Sequence, residues 1–591
     1  MNRNLSSKKL GFLLFLWIQT VFAFAQNNVT GTISDAQKQP LPGASVVVKG
    51  TLVGTVTGSD GTFTLKDVPK GSTLIVSFIG FATQEVNITE GGTNLQIVLV
   101  EGNALNELVV VAYGDQKRRN VTGAISSVDS RSLKDLPLAS ADQKLAGQMA
   151  GVQVSQVTGA PGGGVVIRVR GSGSIGAGDD PLYVIDGFPV TNTYSRYSNP
   201  LAAINPSDIE SITVLKDAAS TAIYGSRGAN GVILIKTKSA KAGVTSLDVN
   251  YYTGIQQIPD RAKIKMMNAQ EWATFRVEAR QDLAKFQGKT FDPATIPADY
   301  TNPASLGAGT NWFNEMTQTA PIQDLNVTMS KGTESLRSVF SAGYFKQEGT
   351  VKNSNFERYS FRVNLEANPH KLVTVGVNLN PSFVNRKIAD SEGHFNNSLV
   401  TASYLNSPLS PVYLGDGSYN NVITSTDLFS NANPLSILLD TKNRQSTMRA
   451  LGSTYVIVKL ADGLNFKTTF NMDWATTKSD FFRPSFVGGF RAVPPLPATG
   501  VTDNTTLLNW LNENTLNYDK TFGKHNLTVL AGYAIQQEKF TRTTLNGSGT
   551  PMTWCKPSMA QPSLQVARMS KHGVCCLTSG VSIMRLMTNI Y

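Results

Sequence analysis

Residues 181–190, PLYVIDGFPV, and residues 208–238, DIESITVLKDAASTAIYGSRGANGVILIKTK, decide the fold of this chain. Asp186-Gly187 predicts a tight hairpin turn, because glycine reaches positive φ without a Cβ clash. Lys216–Ile223 predicts a short helical turn. Three apolar runs rich in Val and Ile are bounded by turn residues and predict buried β-strands, at Leu182–Ile185, Ile209–Leu215 and Gly231–Ile235. The stretch therefore predicts a small α/β domain.

The order of short motifs in this stretch resembles the plug domain of TonB-dependent outer-membrane receptors of the SusC/RagA group. The motifs are IDG at 185–187, IESITVLKDA at 209–218 and AIYGSRGANGVI at 222–233, and RVRG at 168–171 resembles a further plug strand. An unrelated glycine-rich α/β domain is the alternative interpretation. The resemblance implies a set of plug-motif residues: Arg168, Arg170, Gly171, Asp186, Gly187, Glu210, Tyr224, Gly225, Gly228 and Gly231.

The first 25 residues predict an export signal. Arg3, Lys8 and Lys9 precede the apolar run Leu10–Phe24, and Ala23-Phe24-Ala25 is a small-x-small cleavage site. No later apolar run reaches the roughly 18 residues that a membrane helix needs. We therefore expect an exported mature chain from Gln26 that crosses a membrane only as a barrel, and the resemblance implies the cell outer membrane.

Residues 26–101 predict a small antiparallel β-sandwich, in which turns such as Ser59-Asp60-Gly61 separate short apolar strands. The run from Val29 to Leu65 resembles the carboxypeptidase-regulatory-like domain that precedes the plug in the SusC/RagA group. A zinc peptidase needs His and Glu ligands at fixed spacing, but the four His, at 370, 394, 525 and 572, lie outside this domain. Because catalytic pairs are also lacking, we expect no enzyme activity, no metal site and no cofactor.

Residues 102–120 form a separate segment that contains the apolar, β-branched run LVVVAYG at 108–114 and then the basic residues Lys117-Arg118-Arg119. The run could be a strand of either neighbouring domain. The resemblance implies instead a Ton box, a segment that adds as a strand to the sheet of TonB, the inner-membrane energy transducer. Its residues would be Glu107, Leu108, Val109, Val110 and Val111.

Residues 121–240 predict the plug, an α/β domain with a strand at Val121–Val128 and a short helix at Ala141–Met149. The glycine-rich link at 159–164 is no phosphate cradle, since it lacks Gly-Lys-Ser/Thr and a following helix. We expect Arg168 and Arg170 to face the polar wall of a surrounding lumen and to form ion pairs there. An ordinary exposed strand face is the alternative.

Residues 245–545 predict long strands with one apolar and one polar face. In residues 358–367, for example, Tyr, Phe, Val, Leu and Ala alternate with Arg, Ser, Arg, Asn and Glu. Tight turns such as Ala461-Asp462-Gly463 alternate with long links, which is typical of an outer-membrane barrel. Alternation alone also fits a β-sandwich whose apolar face points to a core. The fold class that follows is mainly β: a sandwich, an α/β plug and an incomplete transmembrane antiparallel β-barrel.

The last segment, 546–591, has a different composition. All three Cys, at 555, 575 and 576, lie in it, and strand alternation stops. Roughly nine or ten strands precede it, whereas plugged transporter barrels have about 22. We therefore expect an aberrant tail, the product of a frameshift, without contacts to the barrel strands, on a truncated and non-functional chain. A Cys₂ metal or redox site is the alternative, and adjacent Cys without a His cluster do not favour it.

The function that these expectations imply is TonB-dependent import of nutrient oligomers through the outer membrane. The resemblance implies three partners: TonB, a SusD-like surface lipoprotein, and an oligosaccharide or peptide substrate. The net charge of +11 comes from scattered Lys and Arg rather than a basic stripe, so we expect no nucleic-acid partner. A soluble periplasmic or surface binding module, or an adhesin, is the alternative function.

Overall fold

The computed structural model of the chain describes residues 26–549, 563–570 and 576–577, except for the stretches 100–107, 118–124, 130–138, 191–199 and 390–398 and shorter ones of one to four residues. The predicted signal peptide, residues 1–25, lies outside the described residues. The chain divides into two compact units, Met1–Thr122 and Gly123–Tyr591.

The first unit contains a β-sandwich built from seven described strands. They are β1 Gln26–Ser34, β2 Ser45–Val48, β3 Gly54–Val56, β4 Thr62–Pro69, β5 Thr73–Ser77, β6 Gln84–Asn87 and β7 Thr93–Val98. One sheet has the order β4-β1-β7 and the other the order β3-β2-β5-β6. Alternate residues such as Val46, Val48, Leu74 and Val76 are buried in a core that both sheets share.

This sandwich confirms the predicted fold but is not wholly antiparallel. Strand β7 runs parallel to β1, with Ile33 opposite Ile97, so the chain must cross from one sheet to the other between them. A further two strands of the unit, β8 Leu108–Val111 and β9 Gly114–Lys117, pair only with each other in a separate antiparallel hairpin within the described pairings.

The second unit begins with the α/β domain, which we call the plug. Its strands are β10 Ile125–Asp129, β11 Val152–Gln156, β12 Val165–Val169, β13 Leu182–Ile185, β14 Phe188–Val190, β15 Ile209–Leu215 and β16 Val232–Thr237, and its α-helix is α1 Ala218–Thr221. Five strands form one sheet in the order β10-β15-β16-β13-β14, while β11 and β12 form a hairpin. Short 3₁₀ helices connect these strands, at Gln143–Leu145, Pro200–Ala203, Pro206–Asp208 and Ala222–Gly228.

The predicted hairpin at Asp186-Gly187 is confirmed, because Ile185 pairs with Phe188 across a two-residue turn. Asp186 and Gly187 have φ of 49° and 88°, the signature of a type I′ turn. The predicted helix at Ala141–Met149 is wrong in extent, since only the 3₁₀ turn Gln143–Leu145 forms. Gly147 has φ of 74°, and this left-handed residue ends the helix.

A large antiparallel sheet follows the plug. Its strands are β17 Thr245–Gln256, β18 Ala320–Gly332, β19 Leu336–Glu348, β20 Asn355–His370, β21 Val373–Lys387, β24 Lys442–Ala461, β25 Leu464–Arg483, β26 Thr499–Phe522, β27 His525–Ser548, β28 Ser563–Ser570 and β29 Cys576–Leu577, each paired with the next. Strands β26 and β27 have 24 residues each, or about 80 Å at roughly 3.3 Å per residue. They are far longer than the roughly ten residues that a membrane strand needs.

Short and long connections alternate between the two ends of the sheet. Turns such as 371–372 and 462–463 lie at one end, and links at 257–319 and 388–441 lie at the other. The long links carry their own elements, α2 Ala269–Phe286, α3 Trp312–Met316, α4 Leu399–Leu405, β22 Ile423–Ser425, β23 Phe429–Asn431 and α5 Pro434–Asp440, together with four 3₁₀ turns at Asp260–Ala262, Pro293–Thr295, Ala298–Tyr300 and Pro303–Ser305. Among the described residues, no helix is both long and apolar enough to cross a membrane.

The polar face of the sheet is its buried face. In β20, Arg358, Ser360 and Arg362 are at most 2 % exposed, whereas Tyr359 and Phe361, between them, are 42 % and 58 % exposed. A β-sandwich would show the opposite pattern. The alternation therefore has the inside-out sense of a transmembrane barrel, with apolar side chains facing out and polar side chains facing in.

The expectation of a tail without contacts to the strands is wrong for the described part of it. Residues Ser563–Ser570 pair with β27 over eight positions, from Ser548 opposite Ser563 to Thr541 opposite Ser570. The backbone edge of β27 offers hydrogen-bonding groups whatever the composition of the added strand. The rest of the tail, 550–562, 571–575 and 578–591, lies outside the described residues.

Candidate functional site: the contact between plug and sheet

Three arginines on the inner face of neighbouring strands hold the plug. Arg358 and Arg362 lie on β20, and Arg386 lies on β21. Each donates hydrogen bonds to backbone carbonyls of the plug. A guanidinium has five N–H donors in a rigid fork and stays charged when buried, so it suits a surface made of carbonyl oxygens.

Arg358, which is 2 % exposed, binds two separate carbonyls of the plug. Its Nη1 donates to the carbonyls of Ala139 at 2.6 Å and Ala202 at 3.1 Å. Its guanidinium also lies over the ring of Phe345, 5.4 Å from the centroid. All three partners of Arg358 belong to one apolar cluster shared by plug and sheet, which consists of Ala139, Ala202, Ile322, Phe345, Phe356 and Val384. The charge is therefore shielded from water and satisfied by two plug segments at once.

Asp186, in the hairpin turn, joins three elements through one carboxylate. Its Oδ1 accepts from the backbone N–H of Thr237 at 2.8 Å, and its Oδ2 accepts from the Thr237 hydroxyl at 2.7 Å. Asn378 of β21 donates through Nδ2 to the same Oδ2. On the other side, Arg362 Nη2 donates to Thr237 Oγ1 at 2.6 Å and to the Lys238 carbonyl at 2.5 Å. The end of β16 is thus fixed to the sheet.

The glycine-rich link at 159–164 meets the sheet near its long-link end. Arg386 Nη2 donates to the Pro161 carbonyl at 3.3 Å, and its guanidinium lies 5.9 Å from the ring centroid of Phe356. A Cβ on Gly162 would lie only 2.1 Å from that ring, so the absence of a side chain permits this close approach.

A fourth contact joins the plug to strand β27 of the sheet. Arg227 Nη1 donates to Gln536 Oε1 at 2.7 Å, and Gln536 Nε2 donates to Asn509 Oδ1 at 2.9 Å. Leu451 and Leu511, on β24 and β26, belong to the main core of the plug. The plug is therefore held by polar contacts at several points and by a shared apolar core.

The predicted ion pairs from Arg168 and Arg170 to the wall of the sheet are not what the structure shows. Arg168 Nη1 pairs with Asp179 of the plug itself, at 2.7 Å from Oδ2, and Arg170 is exposed. A hydrogen bond from Ser172, helped by the backbone N–H groups of Gly173 and Ser174, lowers the pKa of Asp179. At Arg358, Arg362 and Arg386 the polarity is therefore the reverse of the expected one, because the sheet supplies these arginines and the plug supplies the acceptors.

The other predicted plug residues lie inside the plug fold. Glu210 lies on β15, and Tyr224 is 8 % exposed in the 3₁₀ segment that also contains Gly225 and Gly228. Gly231 has φ of 92°, and a Cβ there would lie 3.0 Å from that of Val169. The lack of a side chain at Gly231 thus permits its close approach to β12, and Gly171 follows β12 with φ of 101°.

Buried charges surround the arginine contacts. Burial raises the pKa of Asp208, and this rise is opposed by a hydrogen bond from Ser341 and by the charges of Arg362, Lys238 and Arg358. On the inner face of the sheet, Arg449 and Asp473 form a bidentate pair with N–O distances of 2.8 and 2.7 Å. Within the described part of the chain, no group of three or more His, Cys, Asp and Glu is placed to hold a metal ion.

The proposed Ton-box segment lies in the first unit. Leu108–Val111 forms β8, whereas Glu107 lies outside the described residues. The three anchoring arginines were absent from the sequence prediction as site residues. The signal that could have found Arg358 and Arg362 is their place on the polar side of an alternating strand, where a charge must face either water or a partner.

Two domain families match the chain. The TonB-dependent Receptor Plug Domain matches residues 117–232, and the CarboxypepD_reg-like domain matches residues 29–111. The plug match includes three of the residues whose carbonyls accept hydrogen bonds from the sheet arginines, Ala139, Pro161 and Ala202. The fourth, Lys238, lies just beyond it.

Curated relatives and solved structures agree with these matches. TonB-dependent receptor P26 of Formosa agariphila is 35% identical over 523 residues, which are 86% of this chain and 49% of the relative. TonB-dependent receptor SusC of Bacteroides thetaiotaomicron is 34% identical over 440 residues, 72% of this chain and 41% of the relative. The chain thus spans about half the length of the curated relatives that it matches.

The structure of the RagAB peptide importer in its open-open state shares the fold, with a TM-score of 0.65 at 24% identity over 78% of this chain and 54% of that one. The two domain matches lie in the predicted order, and the alignment with receptor P26 covers 86% of this chain. The chain is thus similar to TonB-dependent receptors of the SusC/RagA type, whose plug domain it contains.

Proposed function

We propose that this chain serves TonB-dependent import of nutrient oligomers, glycan or peptide fragments, through the outer membrane. The observation that carries the proposal is the sense of the large sheet. Its apolar side chains face outward, and its arginines face a plug that is held by hydrogen bonds to carbonyls. Such a plug can be retained at rest and released by force without any covalent chemistry.

In this mechanism, TonB binds the Ton box at Glu107–Val111 and pulls on the plug from its N-terminal side. A SusD-like surface lipoprotein delivers the substrate at the end of the sheet that carries the long links. The contacts of Arg358, Arg362 and Arg386 resist the pull until enough of the plug has moved. No cofactor takes part.

The test is a disulfide lock between plug and sheet. In a background with Cys555, Cys575 and Cys576 replaced by Ser, the double substitution Asp186→Cys and Asn378→Cys joins two residues whose side chains are in hydrogen-bonding contact. We expect this lock to stop uptake of labelled oligosaccharides or peptides by cells, and reduction to restore uptake.

The matched control is Ser246→Cys with Ser330→Cys, which joins two neighbouring sheet strands whose hydroxyls are 2.9 Å apart. This second disulfide does not touch the plug and should leave uptake unchanged. Equal uptake by the locked and reduced plug variants would contradict gated import. Recovery of the chain in the soluble fraction, without detergent, would favour a binding module or adhesin instead.

The Ton-box assignment has its own test. Proline removes a backbone donor and fixes φ, so Val109→Pro with Val110→Pro should abolish strand addition and with it uptake. Unchanged uptake in this variant would remove the Ton box from these residues.

A further inference from the structure

We propose that the Ton-box strand β8 docks on its periplasmic partner as one half of a preformed hairpin, with β9 still paired to it. The partner's strand would add to the outer edge of β8 and give the order β9-β8-partner. This inference rests on the proposed function, because it assumes that residues 108–111 bind TonB.

The observation behind it is the pairing of β8. Four residue pairs join the strands, Leu108 to Lys117, Val109 to Gln116, Val110 to Asp115 and Val111 to Gly114. The described pairings of the chain place β8 and β9 in a sheet of two strands, separate from both sheets of the sandwich. The side of β8 that faces away from β9 therefore has no strand partner among the described residues.

The backbone of β8 presents its groups to two sides in alternation. In an antiparallel ladder, residues that exchange hydrogen bonds across the pair alternate with residues whose N–H and C=O point away. One set, Leu108 with Val110 or else Val109 with Val111, is bound to β9, and the other set is offered to a partner. An extended chain that pairs with this edge gains main-chain hydrogen bonds without any rearrangement of β9.

Addition of a third strand should also stabilise the hairpin itself. A two-stranded hairpin is marginally stable in water by itself, and three strands are needed for independent stability. A strand already held extended also loses less conformational freedom on binding than a free segment does. The competing mechanism is displacement, in which the partner takes the place of β9 and binds a single released strand.

Disulfide locks across the hairpin separate the two mechanisms. Two double substitutions each join directly opposed residues: Leu108→Cys with Lys117→Cys, and Val109→Cys with Gln116→Cys. One pair is hydrogen-bonded and the other is not, so at least one of them suits the geometry of a disulfide. The chain with its three native cysteines replaced by Ser is purified in detergent. Its affinity for the purified periplasmic domain of TonB is measured oxidised and reduced.

We expect the locked hairpin to bind TonB as tightly as the reduced form, or up to several-fold more tightly. A loss of tenfold or more that returns on reduction would overturn docking as a hairpin, because displacement requires β9 to leave. Failure of the unlocked chain to bind TonB at all would instead contradict the Ton-box assignment, and so the two failures are distinguishable.

A proline series gives an independent readout. Single substitutions to Pro at residues 108, 109, 110 and 111 remove one donor each. Hairpin docking predicts that one alternate pair loses at least tenfold in affinity and the other pair less than threefold. Equal losses at all four positions would indicate that both edges of β8 are used, which contradicts the proposal.

Discussion

The arginines of the sheet donate hydrogen bonds to backbone carbonyls of the plug. Such contacts depend on the backbone conformation of the plug and not on the identity of its side chains. Arg358 binds the carbonyls of Ala139 and Ala202, which come from two separate plug segments. Substitutions at those two alanines would leave the acceptors in place. The contact therefore depends on the plug fold being intact, and a plug that unfolds locally loses it.

At this scale we predict that Arg358→Ala weakens the plug–sheet contact by about 3 kcal/mol. The substitution removes two charge-assisted hydrogen bonds and leaves two buried carbonyls without that donor. Unfolding in detergent, followed by tryptophan fluorescence, measures the loss, and sensitivity of cells to a large antibiotic reports a looser plug. Arg444→Ala is the control, since Arg444 is exposed on β24. Equal losses of stability in the two variants would show that the hydrogen bonds of Arg358 do not stabilise the contact between plug and sheet.

Sequence could predict the local conformations of the site residues but not their partners. The Asp186-Gly187 turn follows from residue type alone, because only a few residues tolerate positive φ at both turn positions. The bond between Arg358 and Ala139 joins residues 219 positions apart, and no local pattern encodes that distance. For the same reason Arg168 and Arg170 were assigned to the wall of the sheet, although the partner of Arg168 is Asp179, only 11 positions away.

At the scale of elements, the alternation of apolar and polar residues predicts the strands of the large sheet. It does not predict which face of the sheet is covered by other parts of the protein. Placement of the plug settles this, because its carbonyls satisfy the polar side. The short strands β3 and β6 lack an apolar run, with the sequences GTV and QEVN, and were not predicted. They form because neighbouring strands offer an edge. Tertiary context thus decides the weak elements, and periodicity decides the long ones.

A charge on the outward face of a strand should be costly in proportion to its depth in the membrane. We predict that Phe361→Arg, near the middle of β20, destabilises the folded sheet by about 2–4 kcal/mol. Leu336→Arg, on the same outward face but at the tight-turn end of β19, should cost about 0–1 kcal/mol. Both native side chains are exposed, at 58 % and 48 %. Denaturant titration in lipid vesicles gives both values, and equal costs would contradict a membrane around this face.

The whole molecule consists of two units with separate cores. The sandwich core includes Phe63 and Leu74, and the plug core includes Ile212 and Ile233. Contributions to stability from residues without shared contacts add independently. Each unit should therefore respond only to substitutions in its own core.

We predict that Leu74→Ala destabilises the first unit by about 2–5 kcal/mol, because it removes a fully buried side chain and leaves a cavity. Val56→Ala, at a position that is 64 % exposed in the same unit, should change stability by less than about 0.5 kcal/mol. Limited proteolysis with mass spectrometry follows both units in one experiment. Faster cleavage of residues 125–545 in the Leu74→Ala variant would show that the two units are not independent.

The folded links at one end of the large sheet restrict which segments of this chain can be exchanged one at a time. Trp312, from the link at 257–319, is 2 % exposed and donates through Nε1 to the carbonyl of Ser407 in the link at 388–441. The same small core contains Met316 from the first link and Leu399, Leu435 and Leu438 from the second, and Phe313 stacks on Tyr404 at 5.5 Å. A recombination event that replaced one link alone would therefore leave a tryptophan without its pocket, so the two links must be inherited together as one exchangeable unit.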